Sequence, residues 1–162
     1  MRTASVLILG LGNSVLRDDA VGIKVVESLA AEAAEEGIDT ACAEVAGFAL
    51  IDLLSGYDAA VVVDAIRFDG HEPGDIVIMD ASAKTPTLHL VAAHQIDLPN
   101  ALALGLELGV PMPARVQIVG VQIVDDRTFD EHCTAEVEAA IPAARAAALN
   151  LALRLSANET AI

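Results

Sequence analysis

Two adjacent carboxylates close the glycine-rich stretch "GLGNSVLRDDAVG", Gly10 to Gly22, and a third, Asp64, follows the run Val61-Val62-Val63. His94 lies in "AAHQIDLPNAL", between a loop and the start of a helical pattern. Each residue alone has an ordinary explanation. Asp18 suits a helix N-cap, whose oxygen accepts from the N–H two or three residues on. Asp64 suits a turn closed on its own backbone, and a lone histidine is more often a surface or cap residue than a ligand. Both aspartates cannot be caps, so Asp19, turned by about 100° around the helix, is left to face outward over the chain's first strand. Asp19, Asp64 and His94 would then stand at three loop ends of one crevice, and two carboxylates with an imidazole suit a borderline divalent metal.

The glycines of the same stretch raise a different possibility, a dinucleotide fingerprint. That fingerprint needs a third glycine at position 15, which is Val15 here. Asp18 and Asp19 would also repel phosphates at the helix N-terminus and compete for its N–H groups. NAD, FAD and ATP are therefore not expected to bind, and Gly10 and Gly12 read as a tight turn with positive φ. Serine chemistry has no support either: there is no G-x-S-x-G elbow, and Ser14, Ser28 and Ser55 have no histidine in a defensible motif. His71, His89 and His132 read as exposed.

The elements that must position these residues follow from hydrophobic periodicity. Val6 to Leu9 predicts a strand buried on both faces, and Val21, Val25, Leu29 and Ala33 mark a helix over Asp18 to Glu36 that ends at Gly37. Thr40 to Ala46, Ala59 to Val63, Gly74 to Asp80 and Val116 to Val124 predict four further strands, the last with Gly120 in its interior. Phe48 to Ser55, His94 to Leu108 and Thr134 to Leu155 predict helices, the last kinked at Pro142. This alternation predicts an α/β fold: three layers, with a mostly parallel five-stranded sheet between helices on both faces. In such a sheet ligands bind beyond the carboxyl ends of the strands, where Asp19 and Asp64 are expected.

Composition narrows the class. The 162 residues are 54% hydrophobic, enough for one domain with a substantial core, read as 1–155 with a frayed tail at 156–162. A net charge of -15 argues against nucleic acid and anionic lipid as partners. Arg17, Asp97, Glu107 and Arg115 interrupt every apolar stretch long enough to span a membrane. The run after Arg2 is short, lacks an A-x-A-like cleavage site and passes directly into the glycine motif, so secretion is not expected. Cys42 and Cys133, far apart and without C-x-x-C spacing, read as buried structural thiols in a reducing cytoplasm.

With "ILGLGNSVLRDDAVG", "VAGFALIDLL", "VVVDAIR", "PGDIVIMD" and "AAHQIDLPNAL" in this order, the chain resembles the hydrogenase maturation endopeptidases from about Val6 to Leu155. These process the large subunit of nickel-iron hydrogenases. The resemblance implies a cytoplasmic, monomeric protease that removes a short C-terminal extension from the hydrogenase large-subunit precursor. It also implies that Asp19, Asp64 and His94 are both the catalytic and the metal-binding residues. The metal implied is nickel carried by the precursor, recognised once loaded, with zinc or cadmium able to substitute. Asp19 stands where the family has Glu or Asp. Ala20 replaces a frequent glycine, and Val45-Ala46-Gly47 keeps only the glycine of a G-T-x-G segment. Two alternatives stay open at this point: a nickel-checking or nickel-carrying protein without hydrolysis, and another metal-dependent hydrolase on the same fold.

Overall fold

The computed structural model describes residues 3–44, 48–81 and 98–157. Strand β1 (Val6–Leu11) leads through a 3-10 turn (Arg17–Ala20) into helix α1 (Val21–Glu35), then β2 (Asp39–Ala43), α2 (Phe48–Leu54) and β3 (Ala59–Ile66). After β3 come β4 (Ile76–Ala81), α3 (Leu98–Glu107), β5 (Arg115–Gln122) and α4 (Ala135–Ser156), which continues through Pro142. The strands form one sheet in the order β2-β1-β3-β5-β4.

β1 and β3 are buried along their whole length, as their unbroken apolar runs require of central strands covered on both faces. Alternate side chains supply two cores. Val6, Ile8, Val61, Val63 and Ala65 pack against α1 and α4. Leu7, Leu9, Leu11, Ala60 and Val62 pack against α2 and α3. The layers are thus those expected, helices on both faces of a five-stranded sheet.

The sheet itself is mixed, which corrects the mostly parallel arrangement expected from the sequence. β1 pairs in parallel with β2 and β3, and β3 with β5, but β4 runs antiparallel to β5. A parallel neighbour needs a crossover of roughly a dozen residues, normally helical. Residues 67–75 supply none: Gly70 and Gly74, both at positive φ, turn the chain back instead.

The chain leaves β1 toward β2 on one side and leaves β3 toward β4 and β5 on the other, which opens a crevice at the carboxyl ends of β1 and β3. Helix α1 starts on the floor of that crevice because two glycines let backbones meet. A Cβ at Gly10 would stand 2.6 Å from the carbonyl oxygen of Gly22, and one at Gly22 would collide with the carbonyl oxygens of Val63 and Leu11. The first turn of α1 therefore lies directly on β1 and β3.

Candidate active site

Beyond β1 the chain makes a sequence of local closures. Gly12 has φ +149, and any side chain there would strike the carbonyl oxygen of Asp19. Asn13 then folds the turn: its Oδ1 accepts from Val15 N at 3.1 Å and its carbonyl from Leu16 N at 3.2 Å. Glu44, just past β2, accepts from the backbone N–H of Ser14 at 2.7 Å and holds the turn from the other side. The effect is to bring the 3-10 turn back over the end of β1 and against β3.

Within that turn Arg17 takes φ +34, a left-handed conformation that costs a non-glycine residue about 1–3 kcal/mol and persists only where the surroundings impose it. Those surroundings are the loop after β5. Arg17 N donates to Asp130 O at 3.0 Å, Asp130 N to Val15 O at 3.0 Å, and Asp18 N to Asp125 O at 2.9 Å. Arg67, following β3, adds a tie by donating to the Val124 carbonyl at 3.1 Å and pairing with Asp126.

Asp18 is fully buried, and its side chain does not cap α1. The N-cap position of α1 is Ala20, and the expected Asp18 cap is corrected by what its carboxylate binds instead. Oδ1 accepts from Thr134 N at 2.7 Å and Thr134 Oγ1 at 2.9 Å, while Oδ2 accepts from Val124 N at 3.1 Å and Asp125 N at 3.0 Å. Part-buried N–H groups at the end of β5 and the start of α4 converge here, and a carboxylate with its several lone pairs satisfies them together.

Asp19 is 6% exposed, and Asp64 is wholly buried. The structure brings the two close enough for the Asp19 charge to act on Asp64. Asp64 lies inside β3, opposite Gly120 of β5, because the strand runs three residues beyond its valine run. Its Oδ1 accepts from Ala65 N at 2.8 Å. Its Oδ2 is buried with no hydrogen-bond partner among the described residues. Burial pushes the Asp64 carboxyl well above the usual carboxylate range, the Ala65 N–H opposes this, and the Asp19 charge adds to it. A buried acid with an unused oxygen beside a second buried acid holds either a proton or a cation.

His94 falls outside the described residues, as do His89 and the segment 45–47. Among the described residues no three His, Cys, Asp or Glu side chains form a group able to hold a metal. His71 and His132 are exposed as expected. Cys133 is buried, but Cys42 is exposed, because β2 is an edge strand and leaves that side chain uncovered; this corrects its reading as a buried thiol. Sequence reasoning missed Asn13, Gly22 and Thr134. Gly22 was visible as a glycine in the first turn of a helix, where only a close approach justifies one.

The fold is a three-layer α/β domain with two buried acids at the switch point of its sheet, where such folds place their ligand sites. Residues 23–151 match the hydrogenase maturation protease family, HycI. The Hydrogenase 2 maturation protease of Escherichia coli (strain K12) is 28% identical over 118 residues, covering 72% of this chain and 71% of that one. The solved structure of the hydrogenase maturating endopeptidase HybD from E. coli superposes with a TM-score of 0.73 at 25% identity, over 93% of this chain and 91% of that one. HybD from Thermococcus kodakarensis, a [NiFe] hydrogenase maturation protease, gives a TM-score of 0.68 at 29% identity, over 94% and 99%. The chain belongs to the hydrogenase maturation protease family and is an endopeptidase.

Proposed function

We propose that this endopeptidase removes the C-terminal extension of a nickel-iron hydrogenase large-subunit precursor, after nickel insertion, with Asp19, Asp64 and His94 as its working residues. The observation that carries the site assignment is the Asp64 carboxylate: fully buried, one oxygen without a partner among the described residues, and beside Asp19. Two carboxylates forced together out of water fit a cation, which would relieve both their mutual repulsion and their desolvation. Asp19 and Asp64 would hold such an ion, with His94 as the third ligand. The chemistry such an ion would supply when bound is Lewis-acid polarisation of a carbonyl or activation of a water. In this reading nickel arrives as part of the substrate, and zinc or cadmium can take the same ligands.

The residues of the chain supply the rest. Without a cation, Asp64 Oδ2, buried and without a partner among the described residues, is the atom placed to keep a proton. Val15, Val124 and Phe129, 46%, 49% and 82% exposed, stand on the loops around the crevice and offer apolar contact to a polypeptide. The protein on this reading is a cytoplasmic monomer acting on a newly made precursor; its two cysteines are free thiols, as a reducing compartment would leave them.

The test is to incubate the protein with matched large-subunit precursor, nickel-loaded or nickel-free, and weigh the products by mass spectrometry. Loss of the C-terminal extension from the loaded precursor alone is expected. Unchanged mass in both would contradict the substrate, and equal cleavage of both would contradict recognition of nickel.

A further inference from the structure

We infer that Asp18 is a positioning residue for Asp19: clamped by Thr134 and the loop after β5, its carboxylate holds the 3-10 turn in the strained form that presents Asp19 to Asp64. This rests on Asp19 being a working residue of the endopeptidase.

The neighbouring acids have opposite surroundings. Asp18 is fully buried, and four donors from residues more than a hundred positions away converge on its two oxygens. Neither oxygen is left idle to touch substrate. What it does have is the peptide bond to Asp19, and through that bond its position is passed on. Arg17 on its other side sits at φ +34, a conformation that relaxes unless held. The backbone bonds from Arg17 N to Asp130 O and from Asp18 N to Asp125 O run to the same loop. The clamp therefore fixes both ends of the dipeptide that precedes Asp19.

Thr134 serves this clamp in place of a customary task. It occupies the N-cap position of α4, where a threonine hydroxyl normally turns onto its own helix, yet it makes no side-chain cap. Its Oγ1 and backbone N–H both donate to Asp18. An asparagine at 18 would present an NH2 group to donors and break the match, so the position requires an acceptor on both arms.

The experiment uses the full chain and the nickel-loaded precursor, comparing Thr134→Val, Thr134→Ser, Asp18→Asn, Asp19→Asn and Ile38→Val for kcat, KM and Tm. Thr134→Val removes one donor at constant volume and should lower kcat by roughly 10-fold with KM little changed, and Thr134→Ser should restore it. Asp18→Asn should lower kcat by about 100-fold, the cost of a catalytic group misplaced by about 1 Å. Ile38→Val, in the core at the amino end of β2, should lower Tm and leave kcat at the parental value. If Asp18→Asn fails to fold, the Thr134 pair decides. Parental kcat in Thr134→Val with Asp19→Asn inactive would overturn the positioning role alone, as would a kcat that tracks Tm through Ile38→Val. Parental cleavage by Asp19→Asn would overturn the site assignment, and the inference with it.

Discussion

Asp18 and Asp64 are both wholly removed from solvent in the same crevice, yet their surroundings differ in kind. Around Asp18 three backbone N–H groups are aimed at the carboxylate, drawn from β5's end and α4's start. Around Asp64 a single N–H is supplied, by the next residue in the chain, and a second acid stands alongside. Burial is therefore not what distinguishes a structural acid from a working one. The number of donors provided is: a satisfied carboxylate holds the fold, and an unsatisfied one stores a demand that a proton, a cation or a substrate can meet.

The largest effect should come from cutting the satisfied acid. Asp18→Ala leaves three part-buried N–H groups without their acceptor, at about 1–3 kcal/mol each before any relaxation or access of water, so urea unfolding should show a loss of roughly 3–5 kcal/mol. A loss under about 1 kcal/mol would mean that the two acids are not as different as their contacts indicate.

Next in size is the floor beneath both. Gly22→Ala drives a methyl group into the carbonyls of Val63 and Leu11, so α1 must move off β3, at a cost of about 1–3 kcal/mol in thermal or chemical unfolding. Because Val63 adjoins Asp64, cleavage should fall along with stability. An alanine at 22 with parental activity would show that the Asp19 to Asp64 approach does not depend on this contact.

The smallest effect sharpens the contrast from the other acid. Asp64 keeps its proton in the folded chain to a higher pH than in the unfolded chain, so between those two values the native state binds the extra proton and stability falls as pH rises. Asp64→Asn removes that slope and should raise Tm by a few degrees near neutrality, where about 1 kcal/mol moves a domain of this size by roughly 2–4 °C. On the acid side Asp125, held down to about 2 chiefly by Thr128 and by the N–H of Arg127, gives an opposite slope that both proteins share. Equal Tm across pH 5 to 8 in parent and Asp64→Asn would contradict the demand placed on Asp64.

What the sequence revealed divides along the same line. β1 and β3 were legible because buried central strands write unbroken apolar runs, and the position of Asp64 followed to within two residues of a strand end. The placing of Asp19 near Asp64 is legible for a partly mistaken reason: a local cap at Asp18 would leave Asp19 over, whereas the true partners of Asp18, Val124, Asp125 and Thr134, come from the far end of the chain and leave no local pattern. The reversal of β4 was missed because its alternation reads the same in either direction, and only the helix-free connection at 67–75 marks it. Cys42 was misplaced because edge position depends on strand order, which periodicity does not encode.

The central claim is that an acid left unsatisfied in the crevice does the cutting, and the direct measurement is single-turnover cleavage of nickel-loaded precursor by Asp64→Asn, with Tm read on the same sample. The account predicts a folded protein, with Tm at or above the parent, whose cleavage rate is lower by roughly 10²–10⁴-fold, the range for losing a group that acts on the transition state. Cleavage at the parental rate by folded Asp64→Asn would contradict it.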